Sequence, residues 1–179
     1  MPEIVIRPAI ATDIEQLMSL EHNYTSDIVW QMDIQAEEGQ IQITLRETRL
    51  PRSVRVEYPH FPQRLAENWH QRSGLLIALM NEMAVGYISM RHDIVPLTVW
   101  VDDLVVMRRV RQQGIGTALL LAAQNWARQY QLRRMVLELQ SKNYPAICLV
   151  QKLGYDFSGF HERYFSNLDI ALFFSKVIG

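Results

Sequence analysis

The sequence predicts an α/β (α+β) fold, a mixed central sheet of about six or seven strands flanked by helices, and three observations carry that prediction. From residue 75 onward, segments with strand period alternate with segments of helical period. A hairpin, residues 75–80 and 84–91 about Asn81-Glu82, feeds a strand–helix–strand crossover built from residues 100–107, 114–130 and 135–139. A crossover of that length joins parallel strands, whereas hairpins join antiparallel ones, so the sheet is mixed. At 179 residues, with no repeat, low-complexity tract or linker, the chain suits one core, and residues 1–179 read as a single domain.

The elements follow in order. Ile4, Val5 and Ile6 form a short strand. Thr12, with Glu15 three residues on, offers a capping box for a helix over roughly 12–23, in which Ile14, Leu17 and Met18 fall at helical spacing. Two β-like runs follow, 28–34 and 40–48, joined by Ala36-Glu37-Glu38-Gly39. In the second, Ile41, Ile43 and Leu45 alternate with Gln42, Thr44 and Arg46. Residues 49–62 carry three prolines and read as an irregular, exposed excursion, so the β-rich insertion spans about 24–62. A short helix is expected over 65–71. After the hairpin, Ile115, Leu119, Ala122, Trp126 and Tyr130 share one helical stripe. Residues 144–152 form a helix stopped by Gly154, and 155–165 with 169–177 form a closing hairpin about Ser166-Asn167. Its apolar character also makes it a candidate homodimer surface.

Composition narrows the function classes. About half of the residues, 49%, are hydrophobic and the net charge is −1, without a Lys/Arg-rich block, so neither nucleic acid nor a membrane surface is an expected partner. The lone Cys148 excludes an internal disulfide and a cysteine-based zinc site, and the five histidines lack metal spacing, so no metal is assigned. The opening Met-Pro-Glu-Ile-Val-Ile-Arg lacks the pattern of a signal peptide and no stretch of 18 apolar residues occurs, which points to a cytoplasmic protein.

The most informative segment runs from Leu104-Val105-Val106 through Arg111-Gln112-Gln113-Gly114-Ile115-Gly116-Thr117. A strand enters a polar turn with two glycines, and a helix begins at once. The first turn of a helix leaves N–H groups unpaired and carries partial positive charge, a natural phosphate site. Glycines let the backbone approach the ligand, and Arg111 would add a full charge. A Walker loop fails, because Thr117-Ala118 follows Gly116 where Lys-Ser/Thr is required. A nicotinamide-dinucleotide turn is closer, with Glu138 downstream, but its third small residue falls at Leu119. A coenzyme-A turn, Gln/Arg-x-x-Gly-x-Gly/Ala, is met at every position. Two glycines that merely ease a helix start are the structural alternative.

Here the chain resembles the GNAT N-acetyltransferase superfamily. The resemblance extends to Leu137-Glu138-Leu139-Gln140-Ser141-Lys142-Asn143, the following helix, Leu153-Gly154-Tyr155, and an opening Arg7-Pro8-Ala9 with Asp13. The tail, Tyr164-Phe165-Ser166-Asn167 with Ala171-Leu172-Phe173-Phe174, is similar to a bacterial subgroup that includes streptothricin-acetyltransferase-like proteins. The likeness covers most of 1–23 and 75–179. Residues 24–74 lie outside it, where such proteins usually build the acceptor site. It implies acetyl-CoA as co-substrate, with Leu104, Val105 and Val106 pairing with the pantetheine arm. The N–H groups from Gln112 through Gln113, Gly114, Ile115 and Gly116 to Thr117 would hold the pyrophosphate, and Asn143 would bond the coenzyme, a role compatible with a plain helix N-cap.

Acetyl transfer to a protonated amine requires a base. Glu138 is the first candidate, with a structural or substrate-binding carboxylate as its alternative; Asp103 is a rival. Asp102 and Asp103 should point to opposite strand faces, and either could attract a cation. The resemblance also implies a tyrosine seven residues after the asparagine, as proton donor to the departing thiolate; this chain has Val150 there. Tyr144, Tyr155 and Tyr164 are possible substitutes, and water can protonate a thiolate. The acceptor is expected to be a small cationic amine or antibiotic, or a peptide amine. A non-catalytic acyl-CoA-binding or sensing module is the alternative.

Overall fold

The computed structural model describes residues 3–179; Met1 and Pro2, part of the leaderless reading of the N-terminus, lie outside them. In chain order the elements are β1 (Ile4–Pro8), α1 (Ile14–Met18), β2 (Tyr24–Glu37), β3 (Gln40–Val56), α2 (Gln63–Asn68), β4 (Gly74–Met80), β5 (Met83–Arg91), β6 (Thr98–Val106), α3 (Ile115–Gln129), β7 (Arg134–Gln140), α4 (Tyr144–Lys152), β8 (Asp156–His161) and β9 (Ala171–Val177). Seven strands form one sheet in the order β1-β4-β5-β6-β7-β9-β8, and β2 and β3 form a separate ribbon. Among the described residues only β6 and β7 pair in parallel, as the crossover requires. No helix among the described residues is long and apolar enough to cross a membrane.

Apolar side chains cover both faces of the sheet. On one face Leu119, Leu120, Ile147 and Val150 of α3 and α4 pack on Ile88, Val99, Met135 and Leu137. On the other, Ile14 and Leu17 of α1 and Leu65 of α2 pack on Ile77, Tyr87 and Val105. Each such side chain fully removed from water contributes about 1.5–3 kcal/mol. The asparagine–glutamate turn between β4 and β5 has positive φ at both residues, 50° and 64°, the backbone that matches the twist of a two-residue hairpin. Gly154, at φ 78°, ends α4 as expected.

Three expectations about the elements change. The first helix is short, and the Thr12–Glu15 box does not cap it. Asp13, the residue before α1, makes no cap bond to it; its carboxylate turns back to accept the Ile10 N–H at 2.8 Å and a two-pronged, charge-assisted bond from Arg7 at 2.8 and 2.9 Å. The chain leaves the helix where His22 Nδ1 bonds the carbonyl of Leu20.

The second change is in the insertion. Residues 49–56, expected as an irregular excursion, continue β3 and pair with β2 as far as Tyr24↔Val56. The prolines misled because the register jumps there, from Ile28↔Arg49 to Ser26↔Val54. Pro51 falls in the skipped stretch, where its missing N–H costs no ladder bond. The third change is at the C-terminus, where the expected tight turn at Ser166-Asn167 forms, closed by the Leu168 N–H on the Phe165 carbonyl at 2.8 Å, but the strands stop short of it. β8 and β9 are joined by residues 162–170, and β9 lies between β7 and β8.

Leu119 contradicts a glycine-rich helix–strand contact from the helix side, yet α3 still lies close to the sheet. The room comes from Gly86 on β5. A Cβ there would stand 2.7 Å from the Val105 carbonyl oxygen and 3.3 Å from Leu119 Cδ1. Gly86→Ala should therefore overpack the α3–sheet contact and lower unfolding free energy by about 1–3 kcal/mol. Urea denaturation measures this; an unchanged midpoint would mean that the contact yields freely.

Candidate active site

Parallel pairing between β6 and β7 runs only from Thr98↔Arg134 to Val101↔Leu137. Both strands continue past that point, each paired on its outer side, β6 with β5 to Gly86↔Val106 and β7 with β9 to Gln140↔Ala171. A β-bulge marks the parting. Ser89 faces Asp103 while its neighbour Met90 faces Val101, so Asp102 is an extra residue on β6. The gap beyond is lined by Val101, Leu104, Leu139, Asn143 and Ala146 toward the α3–α4 side and by Tyr58, Glu138, Gln140 and Phe165 toward the other.

The bulge corrects the expected orientation of the two aspartates. The inserted residue shifts the strand's alternation, and both carboxylates reach one guanidinium: Arg72 Nη1 is 2.7 Å from Asp102 Oδ2 and 3.8 Å from Asp103 Oδ2. Asp102 also accepts from Arg91 Nε at 2.7 Å and Nη2 at 2.6 Å. With two guanidiniums against it, Asp102 is a neutralised structural charge, unfit to attract a cationic ligand. Asp103 accepts from His60 Nδ1 at 2.7 Å and the Tyr58 hydroxyl at 3.0 Å, both on Oδ1. Burial raises its pKa, but the bond from His60, the charges of His60 and Arg72 and the bond from Tyr58 outweigh it and hold the carboxyl below its ordinary value. An acid that ionises so readily is a poor base.

Glu138 differs. Its Oε2 accepts from Trp100 Nε1–H at 2.9 Å and the Tyr164 hydroxyl at 2.7 Å, on the face of the sheet away from α3. Burial pushes its pKa up, and those two bonds only partly offset the rise. Two nearby carboxyls with environments that pull them apart are the pattern of a site with distinct acid–base roles. Gln140, next on that face of β7, accepts from the Tyr24 hydroxyl at 2.7 Å and donates to Asp169 at 2.8 Å, which ties β2 and the 162–170 loop to the gap.

At the other end of β6 the glycine turn has the expected form. Gln112 and Gly114 take positive φ, 63° and 86°, and the Gly114 carbonyl receives the first helical bond from Ala118 N–H at 2.9 Å. The N–H groups from Gln112 to Thr117 bond to no atom among the described residues. Two side chains depart from expectation. Arg111 does not lie free beside the turn: Nε donates to Val106 O at 2.8 Å, Nη1 to Asn23 O at 3.0 Å and Nη2 to Glu21 O at 2.6 Å. Its guanidinium staples the turn to the chain between α1 and β2, and the Val106 carbonyl is already occupied. Gly116 also serves packing, since a Cβ would meet Leu149 Cδ2 of α4 at 3.0 Å. Ile115 and Val105 point their side chains into the core, so either could meet a ligand only through backbone.

Asn143 lines the gap and caps α4, accepting from Ala146 N–H at 3.3 Å. Val150 is fully buried in the core. Of the three candidate tyrosines, Tyr155 is buried between Gln124 and Met135, and Tyr144 lies outside, 3.4 Å from Glu47. Tyr164 alone of the three bonds Glu138. His60, which no spacing singled out, enters from the segment after β3; its only sequence signal is its place in the insertion.

Residues 42–155 match a family model described as Acetyltransferase (GNAT) family. No curated protein sequence matches the chain. Among solved structures, a nourseothricin acetyltransferase is similar with a TM-score of 0.83 and 22% identity, covering 98% of this chain and 99% of its own. A protein described as a streptothricin acetyltransferase from Bacillus anthracis, in complex with acetyl coenzyme A, gives 0.76 and 18%, with the same coverage of 98% and 99%. The ribosomal-protein-S18-alanine N-acetyltransferase of Escherichia coli gives 0.70 and 15%, over 99% and 95%. At these identities the likeness establishes the shared fold.

Arg111→Met should leave three carbonyls without their charged donor and cost about 1.5–3 kcal/mol of stability. A urea midpoint equal to that of the unaltered protein would show that the staple does not hold the turn.

Proposed function

The chain belongs to the GNAT acetyltransferase family, and from that premise we propose that it transfers an acetyl group from acetyl-CoA to a primary amine by direct attack in a ternary complex. The observation that carries the reading is the gap where β6 and β7 part, lined by the raised-pKa carboxyl of Glu138, with the unpaired N–H groups of the glycine turn following the end of β6. Bound acetyl-CoA would supply a thioester carbonyl as the electrophile.

The residues fit that co-substrate. The N–H groups from Gln112 to Thr117, at the positive end of α3, suit a pyrophosphate. The parted edge of Leu104, Val105 and Val106 suits an amide-bearing pantetheine arm, and Asn143 stands beside the same gap. Glu138 approaches from the opposite face and takes a proton from the amine. Burial that raises its pKa strengthens it as a base. Tyr164, bonded to Glu138 and held protonated by burial and that carboxylate, is the tyrosine assigned to protonate the departing thiolate. Water is sufficient otherwise, since thiols are acidic enough to leave as anions.

The acceptor we favour is a small cationic amine, with an antibiotic amine or a peptide amine as its forms. Support comes from Glu138 and from the aromatic lining of Tyr58 and Phe165; Asp102 contributes nothing, being paired twice. Relatives of similar fold include one named for nourseothricin and one for a ribosomal-protein alanine. A non-catalytic acyl-CoA-binding module is the competing reading, favoured by Val150 in the core.

Thiol release from acetyl-CoA with spermidine, lysine methyl ester, an alanine-led peptide and streptothricin decides between them. Turnover on one of these supports the enzyme, and tight acetyl-CoA binding with no turnover on any supports the binding module. Glu138→Gln should lower kcat by about 10²–10⁴-fold with acetyl-CoA affinity unchanged. In the unaltered protein the rate should rise as pH climbs through the elevated Glu138 pKa, and a wild-type profile in the variant would remove it as base. Gly116→Val should abolish acetyl-CoA binding. Because its side chain also meets Leu149, a thermal melt must accompany the titration, and unchanged affinity in the folded variant would refute the turn as the phosphate site.

A further inference from the structure

We propose that His60, oriented by Asp103, is a second proton acceptor on the acceptor side of the gap, working beside Glu138. The proposal rests on the reading of the protein as an amine acetyltransferase. Stoichiometry motivates it. An ammonium nitrogen carries three protons and the amide nitrogen it becomes carries one, so two protons must leave. The departing thiolate recovers only one.

The geometry suits His60 to the task. Asp103, its side chain only 4% exposed, sits behind the ring with Oδ1 2.7 Å from Nδ1. An ionised carboxylate only accepts, so Nδ1 bears the hydrogen and the neutral ring keeps a lone pair on Nε2. Nothing among the described residues bonds to Nε2, and it is absent from the buried polar atoms that lack a partner, so it is open to solvent. The ring stands edge-on to Phe165 at 5.9 Å and to Tyr58 at 6.0 Å, both of which line the gap. The charged and titratable groups around it are Asp103 on β6, Glu138 on β7, the Tyr58 hydroxyl beside it and Arg72 behind Asp103. A proton on His60 favours both carboxylates as anions.

The step balances as follows. The amine nitrogen forms the C–N bond to the acyl carbon as the C–S bond breaks. One nitrogen-borne proton passes to Glu138 and the other to His60 Nε2, and both drain to solvent. The thiolate takes one proton from water or Tyr164. Asp103 is a positioning residue: it fixes the tautomer and stabilises the imidazolium.

The test compares two nucleophiles. Hydroxylamine is already neutral at pH 7 and sheds a single proton, whereas the alkylamine of highest turnover in the amine panel must shed two. His60→Gln, which keeps a donor toward Asp103, should lower kcat about 10²-fold with the alkylamine and less than about threefold with hydroxylamine, at unchanged KM for acetyl-CoA. Asp103→Asn should show the same split in weaker form. Equal losses on both nucleophiles would reduce His60 to packing, and wild-type rates on both would remove it from the reaction. If the unaltered protein releases no thiol with any amine, the amine-acetyltransferase reading itself fails and the proposal falls with it.

Discussion

Two guanidiniums closing on the Asp102 carboxylate hold the strand at the one place where the sheet comes apart. Arg72 and Arg91 grip an aspartate that the bulge has pushed out of register, and the carboxylate, its side chain 2% exposed, has no other way to be satisfied. A buried ion pair of this kind stabilises little by comparison with an apolar replacement, but losing one partner costs about 3–5 kcal/mol, so it specifies a geometry more than it adds stability. Everything at the candidate site follows from that geometry. The extra residue sits one position beyond the last β6–β7 pair, Val101↔Leu137, where the two strands part. Beyond it, a gap lined by apolar and polar side chains opens between the two strands.

Much of this architecture was legible from side-chain pattern. The helix at 144–152 coincides with α4, and the α3 stripe, the hairpin and the parallel crossover match within a few residues, because each buries a periodic apolar face. The glycine turn was legible too, since a strand, positive-φ residues and a helix start leave a local signature. Glu138 could be picked out because the resemblance pointed to it and alternation set it apart from Leu137 and Leu139.

What escaped reading depends on contacts distant in sequence or on a single inserted residue. Arg111 bonds a carbonyl 90 residues away, and nothing near it signals that its charge is engaged. The bulge alters no composition and no period; it appears only when β5 is laid against β6. His60 belongs to a segment without periodicity, and its partner Asp103 lies 43 positions on. The prolines of 49–62 argued correctly against a regular ladder, but a register jump let the strand resume around Pro51.

The long ribbon of β2 and β3 bears on how the protein is built. Two strands paired alone are marginal in water, and most of this ribbon's residues are exposed. Its anchorage lies in bonds such as Trp30 N–H to Ser141 O and the Tyr24 hydroxyl to Gln140, the latter joining residues 116 positions apart. Such contacts close only after β7 has taken its place, because the entropy of large loops must be overcome first. The ribbon is thus expected to assemble late, with its amide protons exchanging through local opening while the α3–sheet core stays closed.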